Sequence, residues 1–187
     1  MDRALLKHLR PWAGALVALG STAACGSAQT TPPPATPPVA GQEAPVWLVS
    51  DNEGKTVTIA LQVTPGAAGG PALINGEHNG ALQIVVPLNW TVQWDWRSAD
   101  STAPHSLVVM AEREKLPTVG GQAAFTNALT RSVTAGLQVG QGDRTTFTAE
   151  EAGWYWLLCG VPGHAIAGEY LGLRVDPEAK TAEVKRK

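Results

Sequence analysis

This chain has few cysteines, little excess charge and no long apolar run. It contains two cysteines, and its 14 Lys and Arg against 16 Asp and Glu leave a net charge of -2. No cluster of four or more basic residues occurs in the body of the chain, so the electrostatic footprint of a nucleic-acid-binding protein is absent. A chain of 187 residues can bury most of its apolar surface in a single core, so we expect one domain with extensions.

The N-terminal residues follow the order of a secretory signal peptide. Three basic residues within the first ten precede an apolar run over 12–20, and a stretch of small residues follows at 21–25. The apolar run is well short of the ~20 residues that span a bilayer, so a permanent transmembrane helix is not expected. We therefore predict that residues 1–24 are a signal peptide and that the protein is exported to the periplasm or the cell surface.

Cys25 raises the question of a lipid anchor in the membrane. The preceding Thr22-Ala23-Ala24 resembles a bacterial lipoprotein box, in which the cysteine becomes the lipidated N-terminus, although Thr22 stands where that box usually has Leu. Ordinary cleavage at the nearby small residues is the alternative. In both cases the exported domain keeps one cysteine, Cys159, which cannot form an internal disulfide. An unpaired thiol in an oxidising compartment indicates a purpose such as metal ligation.

Two segments of biased composition flank the predicted domain. Residues 25–45 are mostly Pro, Thr, Ala and Ser, a composition that favours extended polyproline II and cannot build a core. They are predicted to be a tether, and a disordered tail without an anchor is the alternative. Residues 177–187 are charged and are predicted to be a solvated tail. The folded domain is therefore expected over residues 46–176.

Short β-rich runs separated by Gly, Pro, Asn and Asp occupy this domain. They predict an all-β protein, an antiparallel sandwich or barrel of seven to eight strands. Alternation is clearest around Trp94 and Trp96, which share one face and are predicted to lie in the core. Residues 116–138 form a long connection with room for a short helix. The runs cover residues 46–50, 55–63, 81–86, 91–97, 106–111, 144–149, 153–159 and 169–175.

One cysteine and two histidines form the most informative pattern. Cys159 ends a strand of aromatic and aliphatic residues, and His164 follows across a Pro-Gly turn that can bring it back toward the same ion. His105 lies about fifty residues upstream. A thiolate and two imidazoles suit copper in both oxidation states, and a trigonal His₂Cys site with a weak axial contact is an electron-transfer arrangement. The alternative is a core cysteine with two incidental histidines. Ser106 could restrain this loop or form a hydrogen bond near the sulfur.

These residues resemble those of the cupredoxins, most closely the sulfocyanin subgroup and more distantly rusticyanin. The resemblance covers residues 73–175 and includes Asn75-Gly76, the segments VVPLNWTVQWDW and PHSLVVM, and AGWYWLLCGVPGHAIAGE. It implies a Greek-key β-sandwich with one type 1 copper at one end, bound by His105, Cys159 and His164. It also implies an exported, often membrane-anchored electron carrier whose partner is a redox protein of a respiratory chain. Asn75, like Ser106, is expected to support the ligands from behind.

The axial position departs from the family pattern. The family places Met five residues after the second histidine, and this chain has Glu169 there. Neither methionine can substitute, because Met1 lies in the predicted signal peptide and Met110 points away from His105 under strict alternation. A bound carboxylate at Glu169 would favour Cu(II), lower the potential and weaken the blue absorption. The alternative is that Glu169 turns to solvent and leaves three ligands, with a backbone carbonyl behind them.

An electron carrier is the function that this pattern favours. A multicopper enzyme needs several more histidines, and only His78, His105 and His164 lie beyond the predicted signal peptide. One alternative is a copper carrier or chaperone for a respiratory oxidase, although such proteins tend to use Met-rich sites. Another is a small catalytic copper site with an open position at Glu169. His78 is predicted to be a turn residue, with a second metal site shared with Glu77 as its alternative.

Overall fold

The computed structural model describes residues 47–187. The predictions for the signal peptide, the tether and Cys25 lie outside the described residues. No helix in the described range is long and apolar enough to cross a membrane. The elements are β1 (Leu48–Asp51), β2 (Thr56–Thr64), β3 (Leu73–Ile74), β4 (Leu82–Pro87), β5 (Thr91–Ser98), β6 (Val108–Ala111), β7 (Gly142–Thr148), β8 (Gly153–Leu158), α1 (His164–Ala167), β9 (Tyr170–Asp176) and β10 (Glu183–Arg186).

The ten strands form two five-stranded sheets. The first has the order β1-β2-β5-β7 with β3 beside β2, and the second has the order β10-β4-β9-β8-β6. Strands β2 and β5 pair in parallel, as do β4 and β9, and the other pairs are antiparallel. The predicted all-β sandwich is confirmed, with ten strands where seven to eight were expected. The two parallel pairs differ from the expected antiparallel arrangement, because a strand pattern does not reveal which strands become neighbours.

Alternating apolar residues on β2 and β5 build the core. Both strands bury every second side chain, and Trp94 and Trp96 are buried as predicted. The same cluster contains apolar side chains of β4, β8 and β9 from the second sheet. Burying an aromatic or branched apolar side chain stabilises the fold by roughly 1.5–3 kcal/mol. Strands β8 and β9 lead to and from the candidate ligand loop, and their apolar side chains pack in this core.

The long connection between β6 and β7 covers the outer face of the second sheet. It contains no helix, so the expected short helix is wrong. Two isolated bridges fix it instead, one between Leu129 and Val108 and one between Leu137 and His105. Its apolar residues pack on the sheet rather than forming one face of a helix. Leu116, Ala123, Leu129 and Val133 pack against a cluster of Val108, Trp156, Leu158 and Ala165. Phe125, Ala128 and Leu137 of the same connection enter the main core.

The C-terminal residues differ from the solvated tail that their charges predict. β10 pairs with β4, with Val184 opposite Ile84, and Ala182 is buried in the core. The strand lies at the edge of its sheet, where Glu183 and Lys185 can face solvent on either side of Val184. Charged residues on an edge strand obscure the alternation of apolar and polar residues that marks a strand. The folded domain therefore continues to Arg186 and does not end at residue 176 as predicted.

Candidate metal centre

Four side chains meet where β8 ends and β9 begins. The donor atoms of His105, Cys159, His164 and Glu169 all lie within 4.8 Å of one another. His105, Cys159 and Glu169 are at most 1% exposed, whereas the side chain of His164 is 25% exposed. The structure thus brings together all four candidate ligands. The alternative in which Glu169 turns to solvent is wrong.

The ligand loop is closed by backbone contacts at both ends. The Cys159 N–H donates to the carbonyl of Glu169 at 3.1 Å, which joins the end of β8 to the start of β9. Between them α1 is a single turn that begins at His164, and Gly163 and Gly168 flank it with φ angles of 85° and 119°. A Cβ on Gly168 would lie 2.4 Å from Oδ1 of Asn79, so the Asn79 side chain would have to move. This turn brings Nδ1 of His164 to 3.6 Å from Sγ of Cys159.

His105 is fixed by the long connection rather than by a regular strand. Its backbone exchanges two hydrogen bonds with Leu137, at 3.1 and 2.7 Å. Its Nδ1 atom lies 2.9 Å from both carboxylate oxygens of Glu169. Nδ1 of His164 lies 3.0 Å from Oε2 of the same carboxylate. Glu169 therefore contacts both imidazoles on the side where a shared ion would bind.

Ser106 connects three segments around the thiol. Its N–H donates to Sγ of Cys159 at 3.4 Å. Its hydroxyl donates to the carbonyl of Val133 at 2.6 Å and accepts from the N–H of Gly160 at 2.9 Å. Ser106 lies where the sequence analysis expects it, beside the sulfur and holding the adjacent loop.

Asn75 does not lie behind the ligands. Its side chain accepts from the N–H of Gln62 at 2.7 Å and donates to the carbonyl of Ala60 at 2.9 Å. Its φ of 50° is one that Asn tolerates better than most residues, which suits it to the turn after β3. Within residues 47–187 no hydrogen bond joins Asn75 to a candidate ligand. Its hydrogen bonds instead hold this turn against β2.

Asp100 is a site residue that the sequence pattern does not reveal. It is 3% exposed, and its Oδ2 lies 3.0 Å from Nε2 of His105. Its Oδ1 accepts from the N–H and the hydroxyl of Thr102, at 2.7 and 2.6 Å. In sequence, an Asp two residues before Thr looks like an ordinary loop residue. Only its short distance along the chain from His105 could have pointed to it.

The side chains of the cluster shift one another's pKa values. Hydrogen bonds to Cys159 and Glu169 raise the pKa of His164 to about 9. Burial lowers the pKa of His105, but hydrogen bonds to Cys159 and Glu169 outweigh it and raise the pKa to about 10. Burial raises the pKa values of Cys159 and Glu169, and the two histidines more than reverse this, so that both are lowered. The lowered pKa values favour the thiolate and the carboxylate, which are the forms that bind a cation, and a bound metal would displace imidazole protons.

The donor set fits one copper ion. Donor atoms bonded to one ion at ~2.0–2.3 Å lie within roughly 4.6 Å of one another. The donor atoms of this cluster all lie within 4.8 Å of one another, close to that limit, so one ion could contact all four. His105, Cys159 and His164 supply the thiolate and two imidazoles that copper sites use, with Glu169 as the fourth donor. In the part of the chain that the structure describes, no other such group is found, and Glu77 pairs with Arg186 rather than joining His78 in one.

Comparison with known proteins connects this site to one family. A model of the sulfocyanin (SoxE) domain matches residues 43–182, a range that contains all four candidate ligands. No curated protein matches the chain. Among solved structures, rusticyanin is 20% identical, with coverage of 66% of this chain and 84% of rusticyanin and a TM-score of 0.42. Auracyanin B is 20% identical, with coverage of 64% of this chain and 88% of auracyanin B and a TM-score of 0.46. The copper-containing nitrite reductase of Thermus scotoductus SA-01 is 20% identical, with coverage of 65% of this chain and 28% of the reductase and a TM-score of 0.46.

Proposed function

Since this chain belongs to the sulfocyanin (SoxE) family of cupredoxins, we propose that it is an exported electron carrier with one copper held by His105, Cys159, His164 and Glu169. The observation that carries the proposal is the convergence of these four donors within 4.8 Å. Copper supplies one-electron chemistry in such a His₂Cys environment. The remaining properties of the site come from the residues that hold and shield it.

The ligands are held so that a change of charge at the site moves them little. Backbone hydrogen bonds tie His105 to Leu137 and Cys159 to Glu169. Ser106 bonds to the loops on both sides of the thiol. Burial of three of the four donors excludes water. The partly exposed His164 is the route by which electrons reach and leave the centre.

Glu169 is proposed as the axial donor. Its carboxylate lies 2.9 Å from Nδ1 of His105 and 3.0 Å from Nδ1 of His164, and it is buried. A hard anionic oxygen stabilises Cu(II) more than Cu(I). We therefore expect a lower potential and a weaker blue band than in a site with an axial Met. Because Glu169 fills the fourth position, a carrier is favoured over a catalytic site with an open position.

The visible spectrum of the copper-loaded protein tests the ligand assignment. We expect a strong band in the orange-red region that disappears on reduction and returns on oxidation, since it arises from the bond between the thiolate and Cu(II). Cys159→Ser should abolish the band, and Cys25→Ser should retain it. Absence of the band from the unsubstituted protein would contradict the proposal.

Two further measurements separate the carrier from the alternatives. A carrier with a filled site should show no spectral shift on addition of azide, whereas a catalytic site with an open position should shift. The reduced protein should also retain copper in the presence of a Cu(I) chelator. Rapid loss of Cu(I) would favour a copper carrier or chaperone that delivers the ion to an oxidase.

Export and membrane attachment form a separate part of the proposal and are supported by the sequence. Residues 1–24 would direct export, a lipid on Cys25 would anchor the protein, and residues 25–45 would hold the domain away from the membrane, near a redox protein of a respiratory chain. In a bacterial host, the protein should fractionate with membranes and Cys25→Ala should release it. Equal distribution of the two proteins would contradict the lipid anchor.

A further inference from the structure

We infer that Asp100 is a positioning residue that fixes the ring of His105 and strengthens it as a copper ligand. The inference rests on the proposed function, because it concerns one of the proposed ligands. Each of the two ring nitrogens of His105 faces a carboxylate. Nδ1 faces Glu169 in the cluster, and Nε2 faces Asp100 on the opposite side.

The contact on the Asp100 side determines which ring nitrogen is available to an ion. A carboxylate only accepts hydrogen bonds, so the nitrogen that faces Asp100 at 3.0 Å must carry a hydrogen. Nδ1 faces Glu169 in the same way, so both nitrogens carry a hydrogen in the metal-free protein. An ion in the cluster would replace the hydrogen on Nδ1, whereas Nε2–H would stay with Asp100. The ring cannot flip without losing this contact with Asp100. The pair therefore fixes the orientation of the ring and leaves Nδ1 as the nitrogen that a metal can reach.

Asp100 is itself held firmly enough to do this. Its Oδ1 is occupied by two hydrogen bonds from Thr102, which leaves Oδ2 directed at His105. The neighbouring Ala99 donates its N–H to the carbonyl of Val63 at 2.8 Å, which anchors the segment to β2. Asp100 is only 3% exposed. Its position is thus set by the sandwich and not by solvent.

The burial of Asp100 is explained by this partner. A buried carboxylate without compensation is costly, and a residue needed only to close a turn could remain at the surface. Asp100 forms an ion pair with His105 at 3.0 Å. An anionic acceptor on one ring nitrogen makes the other nitrogen a stronger donor. Asp100 is therefore expected to favour Cu(II) over Cu(I), in the same direction as Glu169.

Copper affinity and reduction potential test the inference on two variants. Asp100→Ala removes the acceptor, whereas Asp100→Asn keeps its shape and a carbonyl acceptor but removes the charge. We expect Asp100→Ala to lower Cu(II) affinity roughly 10–100-fold, the usual effect of removing such a partner. If Cu(I) affinity falls tenfold less than Cu(II) affinity, the potential rises by about 59 mV. Asp100→Asn should give a smaller change in the same direction.

A metal-free measurement separates this inference from the proposed function. In nitrogen-15 NMR of the metal-free protein, we expect an Nε2–H proton on His105 that exchanges slowly with water. Asp100→Asn should retain the slow exchange, and Asp100→Ala should lose it. Glu178→Gln removes one exposed carboxylate and serves as the charge control, with affinity, potential and proton exchange unchanged.

The outcomes are distinguishable. A fast-exchanging or absent Nε2–H in the unsubstituted protein would overturn the inference. So would a folded Asp100→Asn that matches the unsubstituted protein in both potential and Cu(II) affinity. A slow Nε2–H proton in a protein that lacks the thiolate–copper band would leave the positioning contact in place and overturn the proposed function instead.

Discussion

Glu169 is the residue at which this site differs from the family pattern. It takes the position where the family pattern has Met, and the structure directs its carboxylate at both histidines. A thioether is a soft neutral donor, whereas a carboxylate is hard and anionic, so the two stabilise opposite oxidation states of copper. Under the proposed ligand assignment, Glu169 would set the potential, while His105, Cys159 and His164 would supply the donors that copper sites share.

Replacement of Glu169 by Met should raise the reduction potential. Loss of the anionic donor weakens binding of Cu(II) relative to Cu(I), and each tenfold change in that ratio is about 59 mV, so we expect a rise of at least ~59 mV. The orange-red band should also become stronger. Voltammetry and visible spectroscopy measure both effects. Glu169→Gln keeps the shape without the charge and should give an intermediate potential. No change in either quantity for Glu169→Met would show that Glu169 does not contact copper.

Gly168 is required by the shape of the ligand loop. Its φ of 119° is open mainly to glycine, and a Cβ would lie 2.4 Å from Oδ1 of Asn79. Gly168→Ala should therefore lower the free energy of unfolding by about 1–3 kcal/mol. Gly121→Ala is the matched control, because a Cβ at exposed Gly121 meets nothing within 4 Å. Chemical denaturation of both variants checks this, and equal stability of the two would contradict it.

Ser106 should contribute to stability through its hydroxyl. The group is buried between the Val133 carbonyl and the Gly160 N–H, so Ser106→Ala leaves both without their partner. We expect a loss of about 1–3 kcal/mol in the free energy of unfolding of the metal-free protein. Ser101→Ala, at an exposed loop position, should change it by less than ~0.5 kcal/mol. A similar effect of the two substitutions in urea unfolding would show that the Ser106 hydroxyl has no such role.

At the scale of elements, what could be predicted depends on whether a pattern is local. β5 is predictable because its alternating residues lie on one strand, and the ligand loop is predictable because Cys159 and His164 share a short segment with a Pro-Gly turn. The contact between Asp100 and His105 cannot be predicted from the sequence, because it depends on how the loop after β5 folds. β10 is also missed, because charged residues on an edge strand resemble a solvated tail.

Strand β10 should matter for stability despite its charged sequence. Deleting residues 183–187 removes its ladder with β4, the contact of Val184 with the core and the bond from the Lys187 N–H to the Ala81 carbonyl. At roughly 0.5–1.5 kcal/mol for each hydrogen bond, the free energy of unfolding should fall by about 2–4 kcal/mol. Thermal and denaturant unfolding measure the loss. The double substitution Glu183→Ser and Lys185→Ser keeps the backbone pairing and should have little effect. A truncated protein as stable as the full chain would show that the tail is dispensable.

At the scale of the whole molecule, access to the centre is confined to one face. Three of the donors are buried, and only His164 reaches solvent. The loop that carries it is bordered by the segment around Val119, because the Gly163 N–H donates to the carbonyl of Thr118. Val119 and Ile166 are exposed apolar side chains in these two segments. The proposed redox partner, if it approaches His164 from this side, would cover these two apolar side chains.

Ile166→Asp should slow electron exchange without altering the copper site itself. Ile166 is 55% exposed and lies two residues after His164, so a carboxylate there must lose water when a partner covers this face. A polar group that is buried without compensation costs about 1–3 kcal/mol, and each 1.4 kcal/mol corresponds to roughly a tenfold change. The bimolecular rate, measured by stopped flow with a protein oxidant, should fall about tenfold while the potential and spectrum stay the same. Val49→Asp introduces the same charge at a 60% exposed valine on β1 and should leave the rate unchanged. Equal slowing by both variants would assign the effect to net charge, and no slowing by Ile166→Asp would place the electron route away from His164.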